Sequence, residues 1–152
     1  LTGYEDRPPT ALSGVEKQRL AVAAALTMRP EVLALDEATS QLDPMGTVEV
    51  FAVVRELKEC YGMTIVMATD KGEEVAQFAD RVLVLHKGEL IAQGTPRDIF
   101  AATELLGRVM IRAPQVSQLA TYLGKRGTPL ANFPITLDEA RRGIEQLIGG
   151  AN

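Results

Sequence analysis

Val32-Leu-Ala-Leu-Asp36-Glu37-Ala-Thr-Ser40-Gln-Leu-Asp43-Pro44 is the stretch on which the fold turns. Its opening apolar run is short for a helix and is bounded by acids, which predicts a buried strand over 32–35. A strand ending in two acids delivers both carboxylates to the carboxyl edge of a parallel sheet, where ligands of open α/β folds bind. There the first acid can hold Mg2+, directly or through water, and the second can orient or deprotonate an attacking water. Taken alone, a strand end capped by solvated acids reads the same way. Asp43-Pro44 then gives an N-cap followed by proline at the first helical position. Val50, Val53, Val54 and Leu57 carry helical spacing onward to a stop at Gly62.

Upstream, Leu12-Ser13-Gly14-Val15-Glu16 places Ser13 three residues before Glu16, the spacing of a capping box, and predicts a helix over 13–28. Its run Leu20-Ala-Val-Ala-Ala-Ala-Leu26 is apolar on nearly all sides, so the helix is expected to be buried. Serine and glycine at a helix N-terminus offer free N–H groups, a hydroxyl and the positive end of the dipole, which suit a phosphate. An ordinary N-cap accounts for the same pair.

Downstream, 64–68 and 82–85 read as two more buried strands, Lys87-Gly88 as a turn and 89–93 as a hairpin partner. Strands separated by helices predict a mainly parallel sheet covered by helices. The last third changes character. Thr95-Pro96 caps a helix expected to reach about residue 110, and 114–127 suggests another. Thr136, with Glu139 three residues on, opens a third whose Leu137, Ala140, Ile144, Leu147 and Ile148 share one face. The stretch 111–114 is the expected junction between an α/β part (1–110) and a mainly helical extension (111–152).

The composition agrees with a globular α/β chain. Of 152 residues, 46% are apolar and 24% charged, which excludes a disordered or fibrous chain. The lone Cys60 excludes a disulfide framework and a cysteine zinc site, and fits a reducing compartment. The net charge of −4 argues against broad nucleic-acid binding, and Lys125-Arg126 and Arg141-Arg142 read as solvated helix faces. The longest mostly apolar stretch, 20–28, is far short of the roughly 18 residues that span a bilayer. Leu1 opens in mid-pattern, so the sequence is expected to be a fragment.

Leu12-Ser-Gly-Val-Glu-Lys-Gln-Arg-Leu20 followed by Leu35-Asp-Glu-Ala-Thr-Ser-Gln-Leu-Asp43 resembles the ATP-binding-cassette (ABC) ATPases. In these, an LSGGQ-like signature lies just upstream of a Walker B strand and a D-loop. The resemblance continues through Thr64-Ile-Val-Met-Ala-Thr-Asp70, Phe78-Ala-Asp-Arg-Val-Leu-Val-Leu-His-Lys-Gly88 and Gly94-Thr-Pro96, and covers about residues 1 to 100. It implies a P-loop NTPase core with a parallel sheet, incomplete at its N-terminus because no G-x-x-x-x-G-K-[ST] occurs here. It also implies that Asp36 is the magnesium carboxylate, Glu37 the catalytic base and 40–43, with Ser40 and Asp43, the D-loop. Ser13, Gly14, Val15 and Glu16 would meet ATP held on a partner's P-loop. The implied cofactors are ATP and Mg2+. The implied partners are a second ABC cassette, identical or different or in tandem, and transmembrane transporter subunits at the cytoplasmic face of the cell membrane.

The tail, Pro114-Gln-Val-Ser-Gln-Leu-Ala120 to Pro134-Ile-Thr-Leu-Asp-Glu-Ala140, is similar to that of ATPases in energy-coupling-factor (ECF) importers, which take up vitamins and metal ions such as cobalt or nickel.

Three positions depart from that pattern. Val15 stands where the signature has its second glycine and is expected to crowd backbone that should approach phosphate. Glu16 replaces a glutamine and brings negative charge towards an anion. Asp70 stands where the switch histidine belongs, and His86, at a strand end, is given no role. These departures keep a second function in view, a degenerate cassette that binds nucleotide and supports an active partner. A soluble ABC protein acting on DNA or ribosomes would call for a coiled-coil insertion or basic stretches, and neither is present.

Overall fold

The computed structural model describes residues 3–40 and 42–149. They fall into two compact units, Leu1–Thr69 and Asp70–Asn152. Among the described residues the first unit is a βαβ crossover with one added α-helix and a short 3-10 turn (Pro9–Ala11) ahead of it. Helix α1 (Gly14–Leu26) precedes strand β1 (Val32–Asp36), and helix α2 (Pro44–Tyr61) leads to strand β2 (Thr64–Ala68). β1 and β2 are parallel and in register, Val32 beside Thr64 and Asp36 beside Ala68. Asp43 caps α2 through its carboxylate on the Gly46 N–H at 2.7 Å. At the other end Gly62 takes the left-handed conformation (φ 63°) that a helix C-terminus favours and side chains resist.

Both helices pack on the same face of this two-stranded sheet. Val22 of α1, Leu33 and Leu35 of β1, and Val50, Val54 and Leu57 of α2 form its core. The strands therefore alternate and are not buried on both faces as expected: Val32 is 55% and Val66 54% exposed on the opposite side. Helix α1 is likewise not buried all round. Only Val22 is buried, with Ala25 and Leu26 partly so, while Ala21, Ala23 and Ala24 face solvent. Alanine counts as apolar but is first of all the strongest helix former, and its exposure costs little.

The second unit is built on a hairpin. After helix α3 (Gly72–Phe78), strands β3 (Val82–His86) and β4 (Glu89–Gly94) pair antiparallel. The expected mainly parallel sheet is thus two separate pairs, one parallel and one antiparallel. Lys87 (φ 50°) and Gly88 (φ 83°) form the tight turn, whose hand matches the twist of the strands it joins. β3 was also expected to be buried, yet only Val84 is, and Leu83 and Leu85 lie 56% and 66% exposed.

Thr95 opens helix α4 (Pro96–Ala101) with a capping box to Asp98. The single helix expected as far as residue 110 is broken. Ala102 leaves helical geometry (ψ 57°) and α5 (Thr103–Arg108) restarts directly, bringing Leu106 into one core with Ile99 and Phe100. Helix α6 (Gln115–Lys125) buries Ser117, whose hydroxyl donates to the Pro134 carbonyl at 2.8 Å. Helix α7 (Leu137–Gly149) follows, with Glu139 accepting from the Ile135 N–H and Thr136 accepting from the Glu139 N–H. Its protected stripe runs only from Glu139 to Ile144. Leu137 and Ile148, which share the apolar face in the sequence reading, are 76% and 68% exposed in the terminal turns.

Candidate functional site

Strand β1 ends at Asp36, and the chain turns sharply at Glu37. The Glu37 N–H still donates to the Ala68 carbonyl at 3.0 Å, closing the sheet. Its backbone is left-handed (φ 49°), which is uncommon for a residue with a side chain and costs on the order of 1 kcal/mol or more. Surrounding contacts hold it there. Ala38 and Thr39 are buried, and the Ser40 N–H and hydroxyl both donate to the Glu37 carbonyl, at 3.0 and 2.9 Å. Both carboxylates, Asp36 and Glu37, are exposed at the carboxyl edge of the parallel pair, as the sequence predicts. Ser40 and Asp43 follow in the β1–α2 connection. Gln41, within the expected D-loop, lies outside the described residues.

The first turn of α1 belongs to the same unit. Ser13 caps it: the Ser13 hydroxyl accepts from the Glu16 N–H at 3.3 Å, and the Ser13 N–H donates to the Glu16 carboxylate at 2.7 Å. The Ser13 N–H and hydroxyl, the Tyr4 hydroxyl and the charge of Arg7 together hold the Glu16 carboxyl below the usual glutamate range. A carboxylate thus already takes one of the N–H groups that the sequence offers to a phosphate. Val15 follows in the same turn. Its side chain turns into the protein against the first turn of α2, where a Cβ built on Gly46 would stand 2.5 Å from Val15 Cγ2. Val15 and Gly46 fit as knob and slot, and Arg19 pairs with Glu49 at 2.8 Å along the same two helices. Nothing in the sequence marks this pairing except a glycine placed, unfavourably, near a helix start.

Asp70 opens the second unit as an exposed residue immediately before Lys71, the N-cap of α3. Among the described residues no group of three or more His, Cys, Asp or Glu side chains gathers to hold a metal ion. Mg2+ is commonly bound through one or two carboxylates, with waters and phosphate oxygens completing its shell. Asp36 supplies one such carboxylate at an exposed strand end. No described helix is long and apolar enough to cross a membrane.

Residues 1–40 match the family described as ABC transporter. The chain is 37% identical over 145 residues to the ECF transporter ATP-binding protein EcfA2 of Caldanaerobacter subterraneus, covering 95% of this chain and 51% of the relative. It is 41% identical over 144 residues to EcfA1 of Clostridium novyi, again covering 95% and 51%. Among solved structures, a metal-chelate-type ABC transporter in an inward-facing conformation superposes with a TM-score of 0.62 at 30% identity, covering 66% of this chain and 39% of that one. An ATP-binding cassette in a dimeric post-hydrolysis state with ADP and phosphate gives 0.57 at 28%, covering 64% and 41%. The strand–acid–acid turn, the capped helix and these likenesses agree: the chain shares the fold of the ABC ATPase cassettes and is similar to members of that family along 95% of its length. Within that family it is similar to the ATP-binding proteins of ECF transporters. It spans about half the length of these curated relatives.

Proposed function

We propose that these residues serve in a complete ABC cassette that binds and hydrolyses ATP and energises an ECF-type importer of a vitamin or a metal ion such as cobalt or nickel. The observation that carries this reading is the turn at Asp36 and Glu37, where a strained backbone leaves two successive acids exposed at a sheet edge. In this reading residues 1–110 belong to the cassette and 111–152 to its helical extension.

Asp36 would hold Mg2+, which when bound would supply positive charge against the ATP phosphates. Glu37 accepts a hydrogen bond from the attacking water and aims it at the terminal phosphorus, taking its proton as the phosphate leaves ADP. Ser13 and Gly14 face the terminal phosphate on a second cassette, and Ser40 and Asp43 lie at the seam between the two. Closure on ATP and reopening after hydrolysis move transmembrane subunits at the cytoplasmic face of the membrane.

A second reading is favoured by one specific contact, the Glu16 carboxylate folded onto the Ser13 N–H. An anion there opposes phosphate, and an aspartate at position 70 lacks the donor of a histidine. The chain would then belong to a degenerate cassette that binds nucleotide and supports an active partner. ATP-driven solute uptake by the complete protein, assembled with its membrane partners in vesicles, separates the two readings. Magnesium-dependent ATPase activity and uptake that fall at least tenfold in Glu37→Gln support hydrolysis at this site. Undiminished uptake in that variant supports the degenerate reading.

A further inference from the structure

Helix α3 begins two residues after Asp70, and its first turn makes two contacts that no motif anticipates. The first is steric. A Cβ built on Gly72 would stand 2.7 Å from the Arg112 carbonyl oxygen, and 3.5 Å from both Phe100 Cε1 and Pro114 Cδ. Those neighbours are firm: Pro114 is fully buried and Phe100 nearly so. The second is polar. Neighbouring Glu74 pairs with Lys71 at 3.5 Å, but Glu73 reaches across to accept from the Gln115 N–H at 2.7 Å. Gln115 is the first residue of α6, whose N-cap is Pro114, a residue with no side-chain cap to offer. Glu73 therefore satisfies the leading N–H of α6 and sets a negative charge at the positive end of that helix. Beyond this point α6 is locked by the buried Ser117 hydroxyl on the Pro134 carbonyl.

We infer that Glu73, with Gly72, anchors the segment carrying Asp70 to the start of α6, and is a positioning residue for turnover at the site Asp70 serves. The inference rests on the reading that position 70 faces the terminal phosphate. The C-terminal helices thereby set where the Asp70 backbone stands, and anything that shifts α6 alters the rate.

The test uses the complete protein assembled with its partners. Glu73→Ala removes the acceptor, Glu73→Gln keeps a carbonyl acceptor, and Gln115→Pro removes the donor from the other side. Proline is tolerated at the first helical position, and Pro114 already has the extended backbone (φ −49°, ψ 145°) required before a proline. Glu73→Ala and Gln115→Pro should each lower kcat roughly fivefold with the KM for ATP within about twofold. Combined, they should cost no more than either alone, because they delete one contact. Glu73→Gln should recover most of the rate. Equal losses in Glu73→Gln and Glu73→Ala, additive losses in the pair, or a lowered melting midpoint at unchanged kcat would overturn the anchor. Failure of the underlying reading shows separately, as an Asp70→His variant with unaltered kcat, and that result overturns the inference with it.

Discussion

Val15 occupies a glycine position of the signature pattern, and the missing side chain at Gly46 makes room for it. Each residue constrains the other. Gly46→Ala should destabilise the complete protein by about 1–3 kcal/mol through overpacking, less a small gain in helix propensity. Val15→Gly should cost roughly 1–2 kcal/mol in lost burial and propensity. The double variant should be more stable than the sum of the two by about 1 kcal/mol, measured by denaturant unfolding; strict additivity would mean the two residues do not touch. Asp70 is the other departure with a physical consequence. An ionised aspartate accepts hydrogen bonds but cannot donate one to a phosphate oxygen. At about 4 Å, two like charges repel by on the order of 4 kcal/mol at an effective dielectric of 20. A loss of that size in the transition state slows a reaction roughly 10²–10³-fold.

At the scale of elements, α7 is tied to α4 by Arg97, which donates to the Phe133 carbonyl and pairs with Glu139 at 2.6 Å. Partial burial pushes the Glu139 carboxyl upward, but the Ile135 N–H, the Arg97 guanidinium and the Thr136 N–H outweigh it and hold it below the usual range. Because the folded value is the lower one, its contribution is fully present above the unfolded value near pH 4.3 and is lost as pH falls through the folded value. Glu139→Gln should therefore cost about 1 kcal/mol at neutral pH, and its melting curve should meet that of the parent below about pH 4. A constant gap across that range would contradict the ion pair's role. Elements set by local chemistry were legible in the sequence. The capping boxes at Ser13 and Thr95 mark two helix starts, Thr136 supports a third, and Gly62 marks the stop of α2. The acids at the end of β1 located the candidate site. The break at Ala102 was not legible, for no glycine or proline marks it and the packing of Leu106 accompanies it. Nor was the Glu73–Gln115 contact, whose partners are 42 residues apart.

For the molecule as a whole, the exposed faces matter most. Val32 and Val66 on the parallel pair, and Leu83, Leu85 and Leu90 on the hairpin, leave apolar sheet surface open to water. Edges and faces of this kind invite association. These 152 residues on their own should therefore be marginally stable and prone to aggregate, and they should not hydrolyse ATP, since they contain no P-loop lysine to position its phosphates. A monodisperse sample with a high, cooperative melting midpoint, or magnesium-dependent turnover abolished by Glu37→Gln, would contradict this. The central proposal, that Glu37 acts in ATP hydrolysis and that an aspartate at position 70 slows it, is tested most directly in the assembled complex. The partner's catalytic glutamate is disabled so that only this site reports, and its residual ATPase rate is measured. The account predicts slow turnover that Glu37→Gln removes and Asp70→His raises by about tenfold or more. Residual turnover indifferent to Glu37→Gln, or unchanged or lowered by Asp70→His, would contradict it.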